Sequence, residues 1–358
     1  MSTLTRGTGD TRPDLLSMLP DELENYIKQL GLPSYRAKQI FTGLHSGKDI
    51  MSLSTLPIKL RQQLAEQTVD RLPRIEKAQV SQKDGTVKYL FRLYDGEFIE
   101  SVFMKYKHGN TLCISSQVGC RMGCRFCAST IDGRIRDLYP SEMLGQIISA
   151  TLDTGERISN VVMMGIGEPL DNYDNVIRFL RLVNEEDGLG IGLRHISLST
   201  CGVVPGIYKL AQEKLPVTLS VSLHASNDEM RSKLMPINNK YPIDELMRAC
   251  VHYFKVSGRR VSFEYTLING ENDNEQTALE LSALIKKYFS DSKEPVHVNL
   301  ILVNPVKERG YTRPAMVGAE AFRSTLEKHR INATIRRRLG SDIDAACGQL
   351  RRTHGKEV

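Results

Sequence analysis

The sequence lacks any long apolar run. No stretch approaches the roughly 20 consecutive apolar residues that a membrane-spanning helix needs. Residues 1–13 are polar, so the hydrophobic centre of a secretory signal peptide is also missing. Internal repeats and long low-complexity stretches are absent as well. These absences predict a cytoplasmic globular protein without a membrane partner.

The composition is that of an ordinary globular protein. Of 358 residues, 41% are hydrophobic and 25% are charged, which is enough for a large core. The length predicts a small helical accessory domain at 1–85 and a larger domain at 86–358, whose core covers about 106–340. The net charge of +6 fits a polyanionic partner, although many enzymes of small molecules are equally basic.

From residue 111 onward, apolar strands alternate with helical stretches. The predicted strands cover 111–116, 159–164, 194–200, 217–223, 260–267 and 296–302. The helices between them include 141–153, 174–184, 242–256 and 275–288. Six such units predict an α/β fold with a parallel sheet, most naturally a curved, partial (β/α)6 barrel. In such barrels the active site lies at the carboxyl ends of the strands.

Shorter elements precede and follow this pattern. Between about residues 14 and 68 the sequence predicts short helices, the first of which begins at Pro20 and ends at Gly31. Residues 86–93 and 97–104 predict a β-hairpin. Residues 331–338 are a candidate for a further strand.

Seven cysteines are present, and an odd number in a reducing compartment favours metal binding or catalysis over a disulfide framework. Cys120, Cys124 and Cys127 form the pattern C-x3-C-x2-C directly after the first barrel strand. Three thiolates can hold three irons of a 4Fe–4S cluster and leave the fourth iron open. A structural zinc site normally needs a fourth Cys or His. Cys113, seven residues upstream, is a poor fourth ligand, so the pattern favours the cluster.

Glycines and polar residues follow the other predicted strands. The second strand ends in Gly165-Ile166-Gly167-Glu168, where glycines expose backbone carbonyls and Glu168 adds a negative charge suited to an ammonium group. The third, fourth and sixth strands end in Ser199, in Ser222 with His224, and in Asn304. Each of these residues alone is more often a cap or a satisfied core residue. Their shared position on one rim predicts a binding site.

Five segments carry a more specific pattern. They are TLCISSQVGC (111–120), VVMMGIGEPL (161–170), LSTCGVVP (198–205), SLHA (222–225) and DIDAACGQL (342–350). In these segments, and in its helical N-terminal region, the chain resembles the RlmN/Cfr family of radical S-adenosylmethionine (SAM) RNA methyltransferases. The resemblance implies a 4Fe–4S cluster on the three clustered cysteines. It also implies seven contacts with SAM: Gly167, Glu168, Ser199, Ser222, Leu223, His224 and Asn304.

The resemblance further implies a reaction at an adenine carbon that uses two cysteines and two SAM molecules per turnover. Cys347 takes a methyl group from the first SAM as a sulfur nucleophile. A radical made from the second SAM removes hydrogen from that methyl group, and the resulting carbon radical adds to adenine. Cys113 then attacks the sulfur of Cys347, which forms a disulfide and releases methylated RNA. Glu100, on the hairpin, matches the family's position for proton transfer.

Without the resemblance, the plainer interpretation of these three residues is structural. A buried cysteine is usually inert, and a glutamate on a strand usually faces solvent. Cys201 and Cys250 carry no sign of function, and Cys250 falls inside a helical pattern.

The expected partners follow from the same family. They are 23S ribosomal RNA, tRNA and an electron donor such as flavodoxin, with the protein itself a monomer. Candidate phosphate contacts are the basic runs at 105–108, 259–260, 336–338 and 351–352, although charge runs are also common on solvated faces. The target base must leave its stack to reach a buried site.

The favoured reaction is methylation at carbon 2 of adenosine, in the peptidyl-transferase centre of 23S ribosomal RNA and at adenosine 37 of tRNAs. Two alternatives remain open: methylation at carbon 8, as by Cfr, and a non-catalytic iron–sulfur module that binds RNA. Val118 and the segment 128–130 are more similar to the carbon-2 branch. A binding module has no use for Cys347 or for Gly167 and Glu168.

Overall fold

The chain begins with helices and continues into a sheet at residue 74. The computed structural model describes residues 10–289, 296–306, 308–343 and 350–351. Three helices come first: α1 (Pro20–Gln29), α2 (Tyr35–His45) and α3 (Ile58–Gln67). Helix α1 begins at Pro20 because the fixed φ of proline suits a first helical position. The Glu22 carboxylate accepts the N–H of Leu19 at 2.9 Å and so completes that helix end.

Four antiparallel strands open the main sheet. They are β1 (Arg74–Val80), β2 (Val87–Arg92), β3 (Phe98–Tyr106) and β4 (Gly109–Cys113). Strands β2 and β3 confirm the predicted hairpin. Strand β1 has no counterpart in the predicted elements, because almost all of its residues are exposed at the sheet edge and show no alternation of burial. It lies inside the segment 1–85, and the division of the chain at residue 85 stays a prediction.

Six parallel strands extend the sheet from β4, after a short antiparallel pair, β5 (Gln117–Gly119) and β6 (Arg134–Asp137). They are β7 (Ile158–Met163), β8 (Ile196–Thr200), β9 (Thr218–Ser222), β10 (Val261–Leu267), β11 (His297–Leu302) and β12 (Asn332–Ile335). The helices between them are α4 (Pro140–Thr154), α5 (Tyr173–Asn184), α6 (Val204–Glu213), α7 (Asp228–Leu234), α8 (Ile243–Ser257), α9 (Glu275–Phe289) and α10 (Met316–Lys328).

This architecture confirms the predicted α/β fold with a partial barrel. The main sheet runs from β1 at one edge to β12 at the other, so the two edges do not pair with each other in the described residues. Strand β12 falls within the candidate segment 331–338. None of the helices in the described ranges combines the length and the apolar character that a bilayer crossing requires.

The two faces of the parallel sheet differ in polarity. One face carries residues such as Val161, Leu198 and Phe263, which are buried in a continuous apolar core with the helices and with α1 to α3. The opposite face carries short polar residues at the alternating positions, for example Ser197 and Ser220, whose hydroxyl oxygens lie 2.8 Å apart. The helices therefore pack against one face only, and the concave face remains available to a ligand.

Candidate active site

The loop with the three clustered cysteines lies between β5 and β6, and backbone contacts fix its shape. The N–H of Cys120 donates to the Gly133 carbonyl at 2.9 Å, and the N–H of Arg125 donates to the Leu234 carbonyl at 2.9 Å. Gly119 has a φ of 74°, and a Cβ there would lie 2.0 Å from the Gly133 oxygen. Glycine is therefore required at the turn that leads into Cys120.

The three thiols fit the ligand set of a cluster. Cys120 and Cys124 are buried and Cys127 is half-buried. Burial, with smaller contributions from the charges of Glu168 and Cys127, raises the pKa of Cys120 to about 12. Burial also raises the pKa of Cys124 well above its usual range, with smaller contributions from Cys127 and Cys120. The three groups are close enough for their charges to interact, and as thiolates they need a cationic partner such as iron.

The thiols do not converge on a single point. Among the described residues, no group of three His, Cys, Asp or Glu side chains is arranged to hold one metal ion. A zinc ion draws four ligands to about 2.3 Å or less from one centre, whereas a 4Fe–4S cluster takes each thiolate on a different iron. Cys113, the candidate fourth zinc ligand, packs apart from the other three against Val102 and Met104. The arrangement suits the cluster better than zinc.

The turn after β7 lies directly against the segment that follows β4. The N–H of Gly165 donates to the Ile114 carbonyl at 3.0 Å, and the N–H of Gln117 donates to the Ile166 carbonyl at 3.1 Å. A Cβ at Gly165 would lie 2.6 Å from the Ile114 oxygen, and a Cβ at Gly167 would lie 2.7 Å from the Gln117 nitrogen. Both glycines are needed because two backbones approach each other here.

Glu168 links the ends of β7 and β8. Its carboxylate is buried and accepts the N–H of Leu170 at 3.0 Å and the N–H of Cys201 at 2.7 Å, one on each oxygen. Its own N–H donates to the Gln117 side chain at 2.9 Å. Burial raises the pKa of Glu168, while the hydrogen bonds from Cys201 oppose that shift. The carboxylate is therefore held in one orientation beside the cysteine loop.

The other predicted rim residues lie at neighbouring strand ends. Ser199 and Ser222 are half-buried on β8 and β9, Leu223 and His224 are buried after β9, and Asn304 is half-buried after β11. The structure thus places all of them at the carboxyl ends of parallel strands, as the sequence pattern predicted. Their contact with SAM stays a prediction.

His224 holds a neutral ring against the cysteine loop. Its backbone is left-handed, with a φ of 57°. Its Nδ1 accepts the N–H of Thr266 at 2.9 Å, and its ring meets Phe126 edge-on at 4.8 Å between centroids. Burial, with a smaller contribution from the charge of Arg231, lowers the pKa of His224 to about 3. Because Nδ1 accepts, the proton resides on Nε2, which can donate to a ligand.

Arg231 ties two strand ends together from α7. This side chain is fully buried. Its guanidinium donates to the carbonyls of Cys201 at 2.7 Å, Ser222 at 3.1 Å and Leu223 at 3.2 Å, and to the Asn238 side chain at 2.9 Å. Cys201 follows β8, whereas Ser222 and Leu223 end β9. One planar cation therefore sets the relative positions of two predicted SAM-binding segments.

Cys113 is the last residue of β4 and is buried. It packs with Val102 and Met104 of β3, and the half-buried Met164 and Leu339 complete this small apolar group. Met164 follows directly on β7 and precedes the glycine turn, so Cys113 lies beside the base of the predicted site.

Glu100 is buried rather than solvated. Both Glu100 and Lys88 are 1% exposed, and the Lys88 ammonium lies 3.2 Å from the Glu100 carboxylate. The Ser115 hydroxyl donates to the Glu100 carbonyl at 2.7 Å, next to the end of β4. The plainer interpretation of Glu100 as a solvent-facing strand residue is therefore wrong, and its predicted role in proton transfer stays a prediction.

Cys347 lies outside the described residues. The described residues on both sides of it have defined partners. Leu339 packs into the group around Cys113, and the N–H of Arg351 donates to the Glu100 carboxylate at 2.7 Å. Both flanks thus adjoin the two other residues that the resemblance singles out.

Comparison with known proteins decides the family. A model of the radical SAM superfamily matches residues 114–281. A probable dual-specificity RNA methyltransferase RlmN from Alkaliphilus oremlandii is 52% identical over 342 residues, which cover 95% of this chain and 98% of that protein. Its counterpart from Lachnospira eligens is 50% identical over 347 residues, which cover 96% and 97%. This chain belongs to the RlmN family. A crystal structure of a radical SAM methyltransferase from Sphaerobacter thermophilus agrees, with a TM-score of 0.88 at 42% identity over 94% of this chain and 98% of that one.

Membership of the RlmN family implies a 4Fe–4S cluster and SAM, and the residues described above fit both. Three residues that help to build the site were not predicted from the sequence: Arg231, Lys88 and Cys201. Arg231 lies in a short polar helix with nothing in its neighbourhood to distinguish it from a solvated arginine. Lys88 belongs to a strand whose other residues are mostly apolar, and this apolar setting could have indicated that Lys88 is buried. Cys201 contributes through its backbone, which no side-chain pattern reveals.

Replacing Arg231 by lysine should lower the free energy of unfolding by about 3 kcal/mol, because one ammonium cannot reach carbonyls on two strand ends and leaves buried acceptors unpaired. Denaturant unfolding measures the change. The matched control is Arg248→Lys, because the exposed guanidinium of Arg248 donates to the Asp244 carboxylate at 2.7 Å. This substitution should change the free energy of unfolding by less than about 0.5 kcal/mol. Equal stability of the two variants would contradict the bridging role.

The neutral ring of His224 makes stability depend on pH. Its pKa is about 3 in the folded protein and about 6.5 when unfolded, so its contribution is complete above pH 6.5 and declines as the pH falls toward 3. Between pH 6.5 and 5 the loss should reach about 2 kcal/mol. His224→Asn retains an acceptor and tolerates the left-handed backbone, so it should remove this part of the pH dependence. The free energies of unfolding of the wild-type and His224→Asn proteins are measured without the cluster from pH 7.5 to 5. If both changed with pH in the same way, the neutral state assigned to His224 would be refuted.

Proposed function

We propose that this chain methylates carbon 2 of adenosine in RNA through a methylated Cys347 and a transient protein–RNA adduct. The proposed substrates are 23S ribosomal RNA at the peptidyl-transferase centre and adenosine 37 of tRNAs. The observation that carries the proposal is the grouping of Cys113, Glu100 and the described flanks of Cys347 beside the glycine turn that follows β7. Identity of 50–52% to proteins named as probable dual-specificity RNA methyltransferases supports the same choice.

Residues of this chain would hold the cofactors as follows. Cys120, Cys124 and Cys127 bind the cluster. SAM is held by Gly167, Glu168, Ser199, Ser222, Leu223, His224 and Asn304. When bound, the cluster and SAM supply a methyl group and one-electron radical chemistry, with two SAM molecules used per turnover. The fixed Glu168 carboxylate suits the ammonium of an amino acid group, and the neutral His224 offers a donor at Nε2.

The two cysteines divide the remaining work. Cys347 carries the methyl group and becomes bonded through it to the adenine carbon. The Cys113 thiolate then attacks the sulfur of Cys347, so that a sulfur–sulfur bond forms as the carbon–sulfur bond breaks and its electron pair stays with the product carbon. External reductant must restore both thiols afterwards. The burial of Cys113 among apolar side chains keeps water away from the adduct.

We propose that Glu100 accepts a proton as the adduct resolves. The Lys88 ammonium lies 3.2 Å from its carboxylate, and both side chains are buried. The N–H of Arg351 holds one carboxylate oxygen on the side of the Cys347 segment. We further propose a flavodoxin-type electron donor, a monomeric state and a cytoplasmic location.

One prediction of the proposed function concerns the methylated nucleoside that turnover produces. Anaerobic turnover of the reconstituted protein with SAM and a 23S ribosomal RNA fragment should yield 2-methyladenosine, detected by nucleoside mass spectrometry. Cys124→Ser protein, which lacks a cluster ligand, is the matched control and should give none. Formation of 8-methyladenosine would contradict the carbon-2 assignment, and absence of any methyladenosine would contradict the proposed function.

Another prediction distinguishes the roles of Cys347 and Cys113. Cys347→Ala should abolish methylation because no sulfur carries the methyl group, whereas Cys113→Ala should accumulate RNA bonded to protein, visible as a shifted band in denaturing gels. Cys250→Ala removes a buried thiol in α8, outside the site, and should form product and no adduct. Free methylated RNA at the normal rate from either of the first two variants would sink the two-cysteine scheme.

A further inference from the structure

A second feature of the barrel lies away from the cysteine loop. The concave face of the parallel sheet encloses a cavity of about 490 Å³. Its walls are the short polar residues that face away from the helices, among them Ser197, Ser220, Ser262 and Asn299. The volume lies within the range of pockets that bind small ligands, and a nucleoside is of suitable size.

The cavity opens toward the amino ends of the strands. Arg194 and His195 come immediately before β8, Arg260 comes immediately before β10, and His108 lies in the turn between β3 and β4. The cysteine loop and Glu168 lie at the opposite, carboxyl ends. Barrels of this class usually place their ligand contacts at the carboxyl ends, so a polar opening at the amino ends needs its own explanation.

The mouth of the cavity is strongly basic. Arg194 and Arg260 are exposed there, and within the described part of the chain neither of them forms a salt bridge. By contrast, Arg121 of the cysteine loop is held by Asp171, and Lys233 is held by Glu271. Two arginines without a carboxylate attract phosphate groups, which accept their planar pairs of N–H donors.

Glu264 is the one carboxylate that the described residues contribute to the cavity wall, and it does not neutralise this mouth. Glu264 is buried, accepts a hydrogen bond from the Asn299 amide at 2.7 Å, and interacts with the charge of Arg336. Arg336 is half-buried, and its positive charge lies inside the cavity beside Glu264. The charges at the mouth remain positive as a group.

The inner wall of the cavity leads to a catalytic cysteine of the proposed reaction. Met104, Val162 and Met164 line the cavity and also pack around Cys113. At the mouth, the rings of Tyr106 and His108 stack with centroids 5.2 Å apart and planes 18° apart. Such a pair offers a flat surface to an unstacked base.

We propose that RNA enters the barrel from the amino ends of the strands, with its phosphates on Arg194 and Arg260 and its target nucleoside in the polar cavity. This inference rests on the proposed function. Two of the basic segments of the sequence, 105–108 and 259–260, thereby meet at one opening although they are far apart along the chain. Cofactor and RNA then approach the reacting atoms from opposite ends of the barrel.

The test combines two neutral substitutions: Arg194→Gln and Arg260→Gln. Binding of a short RNA hairpin with an unpaired adenosine is measured at several salt concentrations. Removing one arginine–phosphate pair lowers the salt slope by about 0.7–0.9, so the slope of the double variant should fall by about 1.5 and its affinity at low salt by at least about tenfold. Iron content and melting temperature verify that the variant is folded.

The matched control is Arg248→Gln, which removes one exposed positive charge from the outer surface of α8 and should leave affinity and slope unchanged. A photoreactive nucleoside beside the target adenosine adds a positional readout, since crosslinks should fall on residues 104–111 and 194–197. Crosslinks confined to the cysteine loop, or a double variant with the affinity and slope of the control, would overturn this inference.

Further outcomes keep this inference apart from the proposed function. Wild-type protein that neither binds nor methylates RNA would refute the proposed function itself. Wild-type protein that methylates RNA while the double variant does so equally well would refute only the entry path. Adenosine monophosphate that binds as tightly as the hairpin would identify a free nucleotide as the ligand and would also overturn the proposed entry of RNA.

Discussion

The close backbone contact between residues 114–117 and residues 165–168 is the constraint on which the site depends. Two hydrogen-bonded segments meet where neither Gly165 nor Gly167 has room for a side chain. The first segment leads into β5 and the cysteine loop, and the second ends in Glu168. Glu168 in turn binds the backbone after β8, and Arg231 connects that backbone to the end of β9. The ends of β7, β8 and β9 are therefore positioned relative to the cysteines through contacts with backbone atoms.

Much of the fold was predictable because its parallel strands and helices follow simple periodic patterns. Strands that are covered by helices on one face show apolar residues at alternating positions, so β7 to β11 appear close to their predicted bounds. Strand β1 did not, because an exposed edge strand has no buried face to impose a pattern. Its residues resemble a loop, and only pairing with β2 makes them a strand.

The candidate site was predictable where chemistry restricts residue type and spacing. Three cysteines within eight residues, and glycines beside Glu168, are such restrictions. Arg231 and Lys88 show the limit, since their importance comes from burial next to partners that are distant in sequence. Lys88 and Glu100 lie on adjacent strands, and although the apolar neighbours of Lys88 indicate burial, nothing in the sequence identifies Glu100 as its partner. Long-range contacts of this kind emerge only from the folded chain.

The unequal faces of the sheet have a consequence for how this chain can change. The apolar face, packed against helices, supplies the cohesion of the fold, and substitutions there carry the usual penalties of a filled core. The concave face contributes little packing, because serine, threonine and asparagine line an open space. Substitutions on that face can therefore alter what the barrel accepts with little loss of stability. The residues that keep the molecule folded are therefore different from those that determine which ligand the barrel accepts. Single substitutions on the concave face can thus change the ligand specificity.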